Sequence, residues 1–503
     1  MARLSKALRL ALPAIAIVLS TLMLVGCGGS SSSPTQSTPT PPSLNGLTQL
    51  SSDAFTNSSS QHATEVEPGA FAWGTTIVTG FQVARIFSGG GADIGFATST
   101  NSGTTWANGV LPGITVFDGG TFSAASDAAV AFDEAHNVWL ISSLAIGTDT
   151  QVLTSRSSDG LHWDNPVVVA PTLNSDKNWI TCDDSPISAY FGHCYTEWDD
   201  PSSTEGLIWM STSKDGGLTW QAPLNTADMA GGIGGQPVVQ PNGTVIVPIL
   251  GTTNMLSFSS TDGGASWNST ITIAAVTDHL VSGGLRTSPL PVATIDATGK
   301  VYVAWQDCRF RINCGSNDIV IATSTDGSSW SPPARVPIDS ASSVVDHFIP
   351  GLGVDPSTGG STAHLGLTYY FYPQAICTSA NCALNAGFIA SDDGGVTWGA
   401  PKTLAGPMTV TWLPNTFAGL MVADYVSTAY ASGKAFAIFA VAEPNSGTTF
   451  NQAIYTNTSG FAHELSQARV SSAGDRQVDG AHCDHPARTL REINPEIGSP
   501  DQN

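Results

Sequence analysis

The sequence predicts an all-β fold built from repeats, and three observations carry that prediction. The first is a turn that recurs six times. Ser213-Lys214-Asp215-Gly216-Gly217-Leu218-Thr219-Trp220 shows it in full, as do residues 260–267 and 391–398. Residues 99–106 carry Asn101 in place of the Asp, and residues 157–163 and 324–330 are one position shorter. In each, the Asp or Asn can accept hydrogen bonds from its own loop, and the glycine of the motif supplies positive φ. The Trp can wedge into an apolar layer beside a hairpin. The second observation is spacing. Trp106, Trp163, Trp220, Trp267, Trp330 and Trp398 are separated by 57, 57, 47, 63 and 68 residues. A period of that size means one supersecondary unit per repeat. The third is composition: 52 glycines and 12% charged residues suit many short strands and turns rather than long surface helices.

These turns resemble the Asp-box (BNR) repeats of sialidases and related β-propellers, over roughly residues 60–460. The resemblance implies a β-propeller of four-stranded blades. It also implies that each box sits on the outer hairpin of a blade, away from any ligand, so the boxes are structural.

In chain order, the first element is a targeting segment. Arg3, Lys6 and Arg9 precede an apolar run over 10–25 that ends in Leu24-Val25-Gly26-Cys27. This resembles a bacterial lipoprotein signal: residues 1–26 would be removed and Cys27 would carry lipid, with an ordinary secretory signal as the alternative. No other run is long and apolar enough to span a membrane. The expected location is extracytoplasmic, on the cell envelope, with membrane contact through the lipid alone. Residues 27–50 read as a Ser/Thr/Pro-rich tether. Residues 51–460 read as the propeller.

The first unit covers about 65–111. The second reads as strands at 126–133, 138–145, 151–157 and 167–170. Residues 176–224, 235–274, 286–336 and 346–404 repeat the order. Residues 415–423, 435–442 and 452–457 form a seventh set without a box. Seven blades are therefore expected, six of them with boxes, with the sialidase count of six as the alternative. Residues 461–503 lose the pattern and read as a polar, poorly ordered tail.

A net charge of −22 excludes nucleic acid as a natural partner. Apart from Cys27, six cysteines form close pairs that flank loops: Cys182 with Cys194, Cys308 with Cys314, and Cys377 with Cys382. Local disulfides are the expectation in an oxidising compartment. Metal ligation is the rival, but no pair has C-x-x-C spacing. Cys483, in His482-Cys483-Asp484-His485, reads as incidental in a polar tail. No cofactor or metal is expected, and the chain reads as a monomer.

In propellers a ligand usually binds at one mouth of the central channel, where the inner strands begin. Aligned by their apolar cores, the predicted inner strands place Glu65, Glu67, Asp127, Asp176, Lys177, Gln236, Arg286, Asp346, His347 and Asn415 there. Glu67, Asp127 and Asp346 are candidates for the paired carboxylates of glycoside cleavage. His347 is a candidate acid or base. Lys177 and Arg286 can hold an acidic sugar, and Trp179 and Trp412 offer aromatic faces. Arg309, in Trp305-Gln306-Asp307-Cys308-Arg309-Phe310, either reaches the rim or pins the Cys308–Cys314 loop. The bland alternative is that these groups satisfy one another around a wet channel.

The sialidase pattern is matched only in part. Its Arg-Ile-Pro motif corresponds to Val66-Glu67-Pro68, which keeps the proline and lacks the arginine. Arg85 fits its second arginine. Its acid Asp falls where Ser88-Gly89-Gly90-Gly91 stands, and Asp93 is a strand residue matching Asp318. Tyr369, Tyr370 and Tyr425 are available as nucleophile without a distinguishing context. The expectation is therefore a carbohydrate-active, sialidase-like propeller, a glycoside hydrolase or a lyase, in which ordinary sialidase activity is doubtful. The alternative is a non-catalytic surface propeller that binds glycan or protein, and a weaker one is an assembly factor docking through its blade edges.

Overall fold

The structure is a computed structural model that describes residues 40–170, 174–203, 205–462 and 470–471. The signal segment, Cys27, Cys483 and most of the predicted tail lie outside the described residues. The described residues from 41 onward form one compact unit.

The repeats fold as antiparallel meanders. The first is Glu65–Trp73, Thr76–Arg85, Gly91–Ser99 and Ala107–Val110. The second is Ala124–Asp133, Val138–Ile146, Thr150–Ser157 and Val167–Ala170. A single pair, Gly91 with Ala125, joins these two into one eight-stranded sheet. The third keeps three strands, Asp176–Cys182, Cys194–Asp200 and Leu207–Ser213. Later inner strands are Val238–Val239, Val292–Ile295, Asp346–Val354 and Ser427–Ala431. The inner strands touch in chain order, and Ser427–Ala431 lies against Glu65–Trp73, which closes a ring around a channel. Strands buried on both faces, such as Val245–Leu250, read as unbroken apolar runs because a sheet packs on each side.

Two expectations are corrected at the seam. Leu47–Gln49, inside the stretch expected to be tether, pairs antiparallel with Gln452–Asn457 and becomes the outer strand of the last sheet. The last inner strand is Ser427–Ala431, not 415–423. Asn415–Thr416 instead pairs with Gly419–Leu420 in a small hairpin, while Ser427–Ala431, small at every position but Tyr430, takes the inner place. The three disulfides join the cysteines paired in the sequence.

The boxes are local hydrogen-bond cages. Asp215 Oδ1 accepts from Ser213 Oγ at 2.9 Å and from the Thr219 amide at 2.9 Å, and Ser213 Oγ accepts from the Gly217 amide. Gly216 and Gly217 stand at φ 69° and 78°, where a side chain would be strained. The Trp that follows wedges against the preceding sheet: Trp267 meets Tyr195 edge-on at 6.2 Å, and Trp163 meets Phe96 at 5.8 Å. Asp215→Ala should therefore lower unfolding free energy by about 1–2 kcal/mol, measured by urea denaturation. Box chemistry is local, so the effect should match that of Asp262→Ala. A cost within error of zero at both would show that the cages are dispensable.

The inner strands share one further device. In four of them the ladder slips register around a residue in the left-handed region: Glu67 (φ 55°), Asp127 (50°), Lys177 (48°) and Ile349 (51°). These are β-bulges, which turn a side chain out of the regular alternation. Two of them continue alike, as Glu67-Pro68-Gly69 and Ile349-Pro350-Gly351. A Cβ on Gly69 would fall 2.2 Å from the Ala128 carbonyl oxygen, and one on Gly351 2.4 Å from that of Val426. Glycine is required there because the next inner strand passes too close for a side chain.

Candidate functional site at the channel mouth

Three of the four bulge residues are ionisable, and they converge. Lys177 Nζ lies 2.6 Å from Asp424 Oδ2, 3.5 Å from Asp127 Oδ1 and 3.6 Å from Glu67 Oε1. The Glu67 and Asp127 oxygens can therefore be no farther apart than those last two distances together, about 7 Å. Arg286 Nη2 also pairs with Asp424. A second tier fixes Glu67 from behind. Gln82 donates to Glu67 Oε2 and, at 2.9 Å, to Ser126 Oγ, and Arg85 donates to Gln82 Oε1 at 3.2 Å.

The cluster is closed. Glu67 is fully buried and Asp127 nearly so, while Lys177, Arg286 and Asp424 retain a sliver of exposure. The opening above them is lined by Lys177, Trp179, Gln236, Pro350, Asp424 and Tyr425. Trp179 and Tyr425 meet edge to face at 5.3 Å. This opening adjoins a channel cavity of about 370 Å³ whose wall includes Phe71, Trp73, Val354 and Tyr430.

Burial and charge set the protonation states. Burial pushes the Glu67 carboxyl well above its ordinary range, and the attraction of Lys177 does not reverse this, so Glu67 is the protonated member. Burial alone would depress Lys177, but Asp127, Asp424 and Glu67 outweigh it and hold the ammonium well above its ordinary pKa. The arrangement thus gathers the neutral Glu67 and two aspartates around one fixed cation. It can donate a proton, hold an anion at Lys177 and Arg286, and offer aromatic faces to a sugar ring.

Other expected residues are not members of the ion cluster. Asp346 and His347 sit outside this cluster: Asp346 accepts from the Asn317 amide at 2.7 Å, and the His347 amide donates to the Asn317 carbonyl. Burial pushes Asp346 up to about 8 and His347 down to about 4. The His347 ring packs edge-on to Tyr369 at 5.5 Å, beside the pairs that Arg311 and Arg335 make with Asp318 and Asp339. His347, Asp318 and Asp339 could converge on one ion, but the two guanidiniums already neutralise that pocket. The bulge position that aligns with Glu67 is Ile349, so His347 and Asp346 stand two and three residues ahead of the position that turns into the cluster. Arg85 is fully buried and donates to the Gly90 carbonyl at 2.7 Å. Arg309 is held by Asp307 at 2.6 Å, pinning its loop. Trp412 is packed into the largest apolar cluster. Gln236 Oε1 accepts from the Ala293 amide, and Asn415 is exposed in its hairpin. Glu65 lies at the seam of the ring, where Ser51 donates to it at 2.9 Å.

One residue at the site, Asp424, was not anticipated, and Tyr425 was named only as one of three tyrosines without a distinguishing context. Both precede the last inner strand, in the unit that has no box to anchor an alignment. The third sheet adds buried acids: Asp176 opposes Asp199 across the ladder and Trp179 opposes Glu197. Burial pushes Glu197 and Asp199 well up. Glu197 lies under Gly235 of the mouth wall, where a Cβ would come within 2.4 Å of its carboxyl carbon.

The fold and its turns define the class: the chain is an all-β propeller with Asp-box repeats. Residues 147–349 match the family described as a BNR repeat-like domain. No curated protein is significantly similar to the chain. Among solved structures it is similar to a protein of unknown function from Dyadobacter fermentans (15% identity, 69% of this chain and 100% of that one, TM-score 0.44). It is also similar to an ulvan lyase bound to its oligosaccharide (12%, 81% and 97%, TM-score 0.48). A third is the Trypanosoma rangeli sialidase with the inhibitor DANA (12%, 82% and 59%, TM-score 0.41).

Proposed function

We propose that this protein is a carbohydrate-active propeller that cleaves a glycan at the channel mouth. The observation that carries this reading is the fixed Lys177, with the Glu67 and Asp127 oxygens no more than about 7 Å apart around it, a limit that admits the spacing of carboxylate pairs that cleave glycosides. Glu67, held neutral, is the proton donor. Lys177 and Arg286 hold an acidic group, and Trp179 and Tyr425 meet the sugar faces. Each of the seven inner strands is read as heading one blade. The chain is also proposed to be an extracytoplasmic lipoprotein, anchored through Cys27 and acting as a monomer.

A second reading is favoured by burial. Glu67 and Asp127 are sealed beneath Lys177, as expected if the cluster plugs the channel of a binding propeller.

One experiment separates the two. Residues 41–503 would be screened against aryl glycosides and plant, algal and host polysaccharides, with binding and product release recorded on the same samples. Cleavage is expected, and it should disappear in Glu67→Gln and Asp127→Asn while binding persists. Binding without products would establish the non-catalytic reading. Neither binding nor products would remove carbohydrate as the ligand class.

A further inference from the structure

The loops at the mouth end present apolar side chains to solvent. Phe87, Leu280, Ile312, Val344, Ile376 and Phe417 are 38–86% exposed. They come from separate loops that hydrogen bonds knit together. The Phe417 amide donates to the Phe87 carbonyl at 3.3 Å, and the Leu420 amide to that of Gly284 at 2.9 Å. Ser282 Oγ donates to the Ala375 carbonyl at 2.6 Å, and the Ala375 amide to that of Val344 at 2.9 Å. Arg311 reaches the Ser343 carbonyl at 3.0 Å. The disulfides Cys308–Cys314 and Cys377–Cys382 stiffen the two loops that carry Ile312 and Ile376. The six side chains therefore form one crescent on a fixed frame.

Two features indicate what covers it. Charge is the first: in a chain of net charge −22, residues 86–90, 373–382 and 410–420 contain no Asp, Glu, Lys, Arg or His. Continuity with the mouth is the second. The loop that exposes Leu280 ends at Arg286, and the loop that exposes Phe417 leads to Asp424, the two partners of the ion pair in the site. The side chains protrude and do not line a cleft, and the arginines beside Ile312 are already paired, Arg309 with Asp307 and the buried Arg311 with Asp318 and Asp339, so the crescent suits insertion into an uncharged apolar layer rather than attraction to an anionic one.

We propose that this crescent seats the channel mouth on an uncharged lipid surface, so that the site faces glycans carried by that surface. The lipid contact stands on the crescent alone; the second clause rests on the glycan reading of the mouth. The test is flotation of residues 41–503 with phosphatidylcholine vesicles. Binding is expected, weakened when half the lipid is phosphatidylglycerol. The double variant Leu280→Gln, Ile376→Gln should lower the partition coefficient at least ten-fold, with an unchanged thermal transition and unchanged binding of soluble oligosaccharide. No flotation of the parent protein, or equal flotation of the variant, would overturn the proposal. So would self-association in solution that the same variant abolishes, which would assign the crescent to a second copy of the chain. A blank glycan screen with intact flotation would remove the glycan reading and keep the lipid contact.

Discussion

Lys177→Met should lower the unfolding free energy by about 3–5 kcal/mol, the cost of removing one partner from a buried ion cluster. Methionine nearly matches the lysine stem in volume, so little of this loss is cavity. The loss is electrostatic: among the described residues Lys177 is the cation within 4 Å of Glu67 and Asp127, and Asp424 would lose its 2.6 Å contact to the same ammonium. Two further measurements separate this from a packing effect. On an Asp127→Asn background the same substitution should cost at least about 1 kcal/mol less, because one of the charges it abandons is already gone. The cost should also be larger at pH 8 than at pH 5, because the acids around position 177 are harder to ionise without the cation than with it, and the variant's native state then binds protons the unfolded chain has released. A loss independent of both the Asp127 background and pH would mean that Lys177 acts as a packed stem.

The same cluster shows where the sequence was legible. The boxes could be read directly because their hydrogen bonds run between residues two to four apart, so their chemistry is written in consecutive letters. The strands they join followed, and the second unit lies within two residues of its expected bounds at every end. Glu67, Asp127, Lys177 and Arg286 were reachable because each lies within the first four residues of an inner strand or ahead of one. The bulge was not legible, because an inserted residue moves the alignment without changing the apolar pattern. Asp346 and His347 were aligned by that pattern, whereas Ile349 takes the left-handed position. The shared Pro-Gly after Glu67 and Ile349 was the signal that would have found it. Asp424 was missed for a different reason: it stands before a strand of small residues, Ser427–Ala431, in a unit whose outer strand comes from the other end of the chain. No local pattern can show a sheet completed by residues some four hundred positions away.

That closure makes the second large effect testable at Glu65. The carboxyl lies where the ring is sealed: Ser51 Oγ donates to Glu65 Oε2 at 2.9 Å and accepts from the Ile454 amide at 2.8 Å, tying the first inner strand to the last sheet. Burial raises its pKa from 4.5 to about 8, the Ser51 hydrogen bond offsetting only part of the shift. A folded pKa above the unfolded one gives stability that is complete below about 4.5 and is lost as the pH rises through 8. Glu65→Gln keeps the shape and removes the titration. At pH 4 the two proteins should differ only by a constant offset. Between pH 4.5 and 8 the variant should gain on the parent, by about 3–5 kcal/mol at the upper end, given about 1.4 kcal/mol per pH unit over that window. Asp93, raised to about 7, and Asp184, raised to about 8, act in the same direction in both proteins and cancel in the difference. Chemical denaturation of both proteins at four pH values measures that difference. A flat difference would mean that Glu65 is ionised in the folded protein, and the ring would then have to be sealed by a charged hydrogen bond from Ser51 rather than by a neutral one.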